Sequence, residues 1–217
     1  MTPQAELFPF INALSERSIA KFYENIKTYK FANALQLIKR GDLVEGVYLV
    51  TKGALRIYYI NAQGREGTLY WIEPGQTCIL ALNCTFSGIE YPAWVETEGD
   101  VEITVIPNAF FKELFGSEAS VQKFAFDALS SRLFDLMAMV EETATSALET
   151  RIARFIYRRA VSSPVIKITQ AQISRHLATS REVVSRLLKR LVDAGLIKVE
   201  TGSIKVTKLE KLKQYIS

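Results

Sequence analysis

The sequence is poor in the residues on which most metal and nucleophile chemistry depends. It has one histidine, His176, so zinc catalysis needing several histidine ligands from one chain is excluded. It has two cysteines, Cys78 and Cys84, too few for a disulfide scaffold or a four-thiolate cluster. A Gly-rich phosphate loop, an HExxH helix and a nucleophile elbow are all missing. No metal site, no catalytic residue and no enzymatic activity are therefore expected. No apolar run approaches the ~20 residues of a membrane-spanning helix. Residues 1–10 lack the basic start and apolar core of a signal peptide. The expectation is a cytoplasmic protein without a membrane partner.

What is present is a large apolar fraction and an uneven charge. Hydrophobic residues make up 48% of 217, which suits a packed core rather than disorder. The net charge of +4 conceals two opposed parts. Residues 1–148 carry twelve Lys and Arg against eighteen Asp and Glu, a net of −6, whereas residues 149–217 carry fifteen against five, a net of +10. A basic third on an acidic remainder points to a polyanionic partner for that third.

Three patterns follow along the chain. Ile19, Phe22, Ile26 and Tyr29 have helical spacing. From Phe31 to Ile106, short β-rich runs (47–50, 55–60, 68–72, 93–95 and 101–106) alternate with turn signals such as Lys52-Gly53, Asn61-Ala62-Gln63-Gly64 and Pro74-Gly75, the signature of a sandwich or barrel-like β domain. From Ser117 to about Thr145 there is neither Gly nor Pro. There Phe126, Leu129, Leu133, Leu136 and Val140 step by three and four, a heptad seam. A second apolar set, Val121, Phe124 and Ala128, would let one face of this helix pack on its own β domain and the other on a partner. An internal core helix is the competing reading.

The C-terminal third carries the densest signal. After a basic helix over 147–160, broken by Ser162-Ser163-Pro164, Thr169-Gln170-Ala171-Gln172 has the form of a capping box. Ile173 and Leu177 anchor that helix. Ala178-Thr179-Ser180 is a tight connection, with Ser180 placed to cap the next helix. On that next helix Val184, Leu187, Leu188 and Leu191 form an apolar face, and Arg181, Glu182, Ser185, Arg186 and Lys189 lie opposite. Such a helix can present its polar side to the DNA major groove. Arg186 would donate twice to a guanine edge, Glu182 would accept from a cytosine amino group, and Ser185 would meet a base or phosphate. Arg181, Lys189 and Arg190 would add phosphate attraction. Ser180, Thr169 and Gln170 are further candidate contacts. Residues 196–200 and 204–206 flank Thr201-Gly202-Ser203 as a hairpin wing.

These motifs resemble the CRP/FNR family of bacterial transcription regulators. Lys39-Arg40-Gly41-Asp42, the run from Val47 to Ile57, and Pro74-Gly75 are similar to its cyclic-nucleotide-binding β-roll; residues 180–188 are similar to its recognition helix. The resemblance implies an α+β architecture: an N-terminal double-stranded, jelly-roll-like β-roll sensor over 1–116, a dimerisation helix over 117–145, and a winged helix-turn-helix over 146–217. It implies a homodimer on double-stranded DNA under allosteric control by an effector, with RNA polymerase as a partner if the protein activates. Family members with the Glu-x-x-Ser-Arg pattern of Glu182, Ser185 and Arg186 read TTGA-like half-sites in a palindrome.

The effector region departs from the family. Its phosphate-binding Arg-Ser pair is replaced by Tyr91-Pro92, and residues 78–82 offer no carboxylate. A buried phosphate would lack charged partners, so cyclic AMP is not expected. The N-terminal cysteine cluster of oxygen-sensing members is missing, so neither is a family-type iron–sulfur cluster. Three readings remain open: a small-molecule pocket lined by Cys78, Leu80, Leu82, Cys84, Tyr91 and Pro92; a thiol switch or haem site using Cys78 or Cys84; and two structural cysteines without such a role.

Overall fold

The computed structural model describes residues 2–32, 35–145 and 147–216. Ser146, where the expected DNA-binding domain begins, lies outside them. The chain forms two compact units, residues 1–59 with 69–135 and residues 60–68 with 136–217. The long helix expected over 117–145 therefore contributes to both, and residues 60–68 fold with the C-terminal part.

The first unit opens with α1 (Pro3–Leu7), a 3-10 turn (Pro9–Ala13) and α2 (Glu16–Asn25). The Ser15 hydroxyl caps α2 by accepting from the Ser18 backbone N–H, satisfying one orphan donor. β1 (Lys27–Phe31), β2 (Gln36–Ile38), β3 (Gly46–Ile60), β4 (Glu66–Ile72) and β5 (Trp94–Pro107) follow, with α3 (Ile79–Ser87) inserted before β5. The strand order is β1-β5-β3-β4, with β2 also on β5; β5 pairs antiparallel with β1, β2 and β3. α4 (Asn108–Ser117) and α5 (Ala119–Thr145) complete the unit's sequence.

The turn signal at Lys52-Gly53 proves to be a bend inside one strand. β3 runs through it, and the register with β5 shifts between Val50 and Lys52 and again between Lys52 and Ala54. Gly53 has φ +72°, and a Cβ there would lie 2.3 Å from the Asp100 carbonyl oxygen. Only glycine fits, and the bulge turns the ladder without ending it. The runs expected at 93–95 and 101–106 merge in the same way into β5, across the polar stretch 96–100. There Arg56, with a side chain 1% exposed, meets Glu96 across the strands at 2.6 Å and lies over the Tyr58 ring at 4.4 Å.

Both faces of β3 are covered, which explains its near-continuous apolar run. Val47 and Leu49 pack with Phe8, Phe22, Phe111 and Val121 in one core. Val50, Leu55 and Ile57 pack with Ile72, Val95 and Ile103 in the other. Each fully buried Leu, Ile or Phe contributes about 1.5–3 kcal/mol, so this double core stabilises the unit without disulfides. Glu118 interrupts what the sequence suggested was one helix from Ser117. Its backbone leaves the helical region, and its carboxylate accepts from the Ser15 hydroxyl at 2.6 Å and from the Ser15 N–H at 3.3 Å. Beyond it, Val121 and Ala125 are buried and Phe124 packs on the first core.

The second unit contains α6 (Leu148–Ala160), β6 (Val165–Ile166), α7 (Gln170–His176), α8 (Arg181–Asp193), β7 (Ile197–Glu200), β8 (Ser203–Val206) and α9 (Leu209–Tyr215). Its sheet has the order β6-β8-β7. β7 and β8 form the expected wing, turning at Gly202 with φ +75°. The core joins Ile152 and Ile156 of α6, Ile173 of α7, Val184, Leu188 and Leu191 of α8, Ile204 of the wing and Leu212 of α9, each at most 1% exposed. α9 was not read from the sequence, although Leu209, Leu212 and Ile216 have helical spacing.

Candidate nucleic-acid interface and interior cavity

The helix pair α7–α8 is built by the local chemistry its sequence encodes. The Thr169 hydroxyl accepts from the Gln172 N–H, and the Gln172 side chain accepts from the Thr169 N–H at 2.8 Å, a complete capping box. The Ser180 hydroxyl accepts from the Val183 N–H at 3.3 Å. Between the helices the chain reverses at Ala178, the one non-glycine residue with positive φ (+52°) among the described residues. This left-handed residue lets two short helices meet at a tight corner.

On α8 the two faces separate cleanly. Val184, Leu187, Leu188 and Leu191 are buried, while Arg181, Glu182, Ser185, Arg186 and Lys189 are exposed. Thr169 is exposed and Gln170 half-buried at the start of α7. Glu182 is held below the ordinary carboxylate range, first by its own backbone N–H, then by the Ser180 hydroxyl, with weaker help from Arg181 and Arg65. It is thus an anion, fit to accept hydrogen bonds. Arg190 departs from expectation: it pairs with Glu149 at 2.8 Å, and Glu149 also accepts from the Tyr215 hydroxyl, a cluster that ties α8 to α6 and α9. The α6 arginines are also partly engaged, since Arg154 donates to the Ile216 carbonyl and Arg159 lies 4.1 Å over the Phe155 ring.

The first unit holds a cavity of about 560 Å³ whose wall includes Tyr29, Phe31, Ile38, Tyr48, Leu55, Ile57, Val95 and Ile103. Its ionisable wall residues are Asp42, Glu45, Tyr29, Tyr48 and Cys78; among the described residues no Lys, Arg or His lines it. Of the pocket residues expected from sequence, only Cys78 is on this wall. Leu82 packs in the other core, the one that holds Phe111. Cys84 and Tyr91 are buried among the roll's packed residues and Leu80 is half-buried against them, while Pro92 is exposed. The expectation missed because residues 79–87 form α3, which turns their side chains by helical rather than strand periodicity. Inward-facing alternate positions on the strands were the usable signal.

The same helix separates the two thiols. Cys78 caps the N-terminus of α3, accepting from the Ala81 N–H, and Cys84 is six residues on, roughly 9 Å of helical rise. That exceeds the span of a disulfide, so the turn that a thiol switch would need is replaced by helix. The Cys78 sulfur lies 3.2 Å from the Tyr91 hydroxyl and 3.9 Å from that of Tyr70. Burial pushes the Cys78 thiol up, against smaller pulls downward from Tyr91 and the Ala81 N–H, and burial likewise pushes Tyr70 and Tyr91 up. A protonated thiol is a poor nucleophile and a poor axial ligand. Arg132 of α5, half-buried, continues this chain: it lies 4.8 Å over the Tyr70 ring and donates to the Trp71 carbonyl at 3.0 Å and to the Gln76 side chain. Nothing in the spacing of α5 marked Arg132.

These acids have a measurable consequence. Each holds its proton in the folded chain at pH values where the unfolded chain has lost it. Their contribution is complete below the unfolded thiol range of ~8.5 and is lost as pH rises through the raised folded values. The melting temperature should stay level to about pH 8 and fall above it, with a shallower onset in Cys78→Ala. A melting temperature flat to pH 11 would contradict the buried acids.

Residues 30–118 match the cyclic nucleotide-binding domain, and residues 150–215 match the Crp-like helix-turn-helix domain. The cAMP-activated global transcriptional regulator CRP of Salmonella typhimurium is 26% identical over 193 residues, covering 85% of this chain and 91% of that protein. The cAMP-activated regulator Vfr of Pseudomonas aeruginosa is 28% identical over 174 residues, covering 76% and 81%. A crp/fnr-family structure from Eubacterium rectale superposes with a TM-score of 0.88 at 26% identity, covering 97% of this chain and 99% of that one. Among the described residues no helix is long and apolar enough to cross a membrane. A β-roll, a long helix and a winged helix-turn-helix, matched in this order, place the chain in the CRP/FNR family of DNA-binding transcription regulators.

Proposed function

We propose that the protein regulates transcription as a homodimer on a palindromic operator with TTGA half-sites. In this reading α8 enters the major groove, Arg186 reads guanine and Glu182 the cytosine amino group, and Ser185 sets the subset of the family to which the site belongs. Arg181, Lys189, Ser180, Thr169 and Gln170 contact the backbone. The supporting observation is that Glu182, Ser185 and Arg186 are exposed together on a helix whose opposite face is buried, within the third of net charge +10. Selection from a random duplex pool tests the reading: enrichment of paired TTGA sequences is expected, and enrichment of unrelated sequences would refute the half-site.

The effector is a small molecule other than cyclic AMP. A cavity walled by aliphatic and aromatic side chains with Asp42 and Glu45, and with no cation among its described wall residues, disfavours a phosphate and suits an uncharged or cationic apolar ligand. Adding cyclic AMP should leave operator affinity unchanged; a cyclic-AMP-dependent increase would overturn this part.

A further inference from the structure

The cavity of the first unit is graded in polarity along its wall. Leu55, Ile57, Ile72, Val95 and Ile103 are buried, whereas Asp42, Leu43 and Glu45 stand exposed at its mouth, on the loop between β2 and β3. Aromatic residues flank β5 on the cavity face. The register sets Tyr29 of β1 opposite Ile103 and Tyr48 of β3 opposite Val105, and positions 103 and 105 share one face of their strand. Phe31, two residues after Tyr29, shares its face, and the two rings lie 6.3 Å apart with planes inclined by 17°. Burial pushes the Tyr48 hydroxyl up to about 12, against a smaller downward pull from the Glu45 backbone; the Glu45 carboxylate, Cys78 and Tyr29 add to the rise. Asp42 is held by the Lys39 backbone N–H, which it accepts at 2.7 Å, a contact that orients the carboxylate without neutralising it. Among the described residues neither Asp42 nor Glu45 is in an ion pair. Tyr91 and Pro92, at the positions where the resemblance puts the phosphate contacts, do not line this cavity.

We propose that the cavity takes an apolar cation: an alkyl or aryl amine whose hydrocarbon body fills the space among Phe31, Ile57, Val95 and Ile103 and whose ammonium group stays at the mouth beside Asp42 and Glu45. Each part of this ligand answers a part of the wall. The aliphatic depth gains from an apolar body that leaves water and offers a charged group nothing. At the mouth an ammonium keeps water on one side and meets two carboxylates on the other, so it is never stranded, whereas an anionic head group meets only acids there. The faces of aromatic rings carry partial negative charge, so Tyr29 and Tyr48 add to the attraction for a cation and not for a neutral head group. A bare metal ion does not suit the same wall, because two carboxylates amid aliphatic side chains fall short of the oxygen ligands it needs. The inference rests on reading this cavity as the effector site and narrows that reading to one charge class.

Three probes with one body and different head groups test the proposal: phenylbutylamine, cationic at neutral pH, phenylbutanol and phenylbutyrate. Each is titrated calorimetrically into the full chain at low salt. The amine should bind roughly tenfold more tightly than the alcohol, from two exposed carboxylates and the ring faces together, and the carboxylate should bind more weakly than either. Asp42→Asn with Glu45→Gln should bring the amine down to the level of the alcohol. Alcohol binding should stay unchanged in that variant, which shows the cavity intact. Equal affinity of amine and alcohol for wild type overturns the cation and leaves a site for uncharged molecules. A preference for the amine that survives in the double variant overturns the seat at Asp42 and Glu45. If no probe binds at about 1 mM, a concentration that weak fragment binding reaches, the cation site and the effector cavity fall together. Operator affinity is measured with and without the amine. An amine that binds with the expected preference yet leaves operator affinity unchanged sinks the effector reading and leaves the cation site standing.

Discussion

Arg186→Ala should weaken binding to a TTGA palindrome by about 1–3 kcal/mol for each bidentate pair removed, roughly five- to 150-fold per half-site and the product of two such factors for a dimer, while leaving a mixed-sequence duplex nearly unaffected. Arg186 is exposed on α8, one turn from the capped end, where side chains of a recognition helix reach base edges. A guanidinium there carries paired donors that match guanine O6 and N7. The substitution deletes a discriminating pair of hydrogen bonds and one positive charge among many. Lys189→Ala is the control from the same face, one turn further on. Its point charge suits phosphate rather than a base edge, so affinity for both duplexes should fall alike and the salt slope should drop by about one for each subunit of the dimer. Binding titrations on both duplexes at several salt concentrations separate the two. If Arg186→Ala weakens both duplexes equally, the assignment of Arg186 to a base is wrong and it is a phosphate contact.

The second unit was legible because its signals are local. A capping box, a serine cap, a four-residue apolar periodicity and a glycine turn each act within a few residues, and each appears where the sequence put it. The engagement of Arg190 was not legible, because its partner Glu149 is 41 residues away in sequence. The roll shows the same limit. Strand existence followed from composition, but Gly53 looks like a turn residue until the pairing of β3 with β5 shows that the ladder continues past it. The cavity wall was missed for a related reason: Phe31, Ile57, Val95 and Ile103 come from separate strands and meet only through long-range register. Cys78 and Tyr91, both expected to line a pocket, meet at 3.2 Å, but only Cys78 is on the cavity wall; Arg132, which reaches the neighbouring Tyr70 from α5, was marked by no local pattern.

Leu133→Asp should convert the protein to a monomer of 24.4 kDa and abolish binding to the palindrome, an effect larger than that of Arg186→Ala. α5 carries two apolar sets, centred roughly a third of a turn apart around its axis. Val121 and Ala125 are buried and Phe124 packs with them on the first core. The seam is bare: Phe126 is 63% exposed, Leu129 40%, Leu133 57%, Leu136 49% and Val140 58%, joined by Met137 at 59%. Large apolar side chains repeated along one helix face are the surface that a second copy of the same helix would cover. Two-fold symmetry would place residue 133 of both copies at this interface, so one substitution would bury two carboxylates without partners, at several kcal/mol each. Leu133 is exposed in the single chain, so the fold and melting of the monomer should change little, which separates failed association from failed folding. Sedimentation and a duplex titration on the same sample decide the matter. A variant that stays dimeric and binds the palindrome would remove α5 from the interface and leave its exposed seam without the role proposed for it.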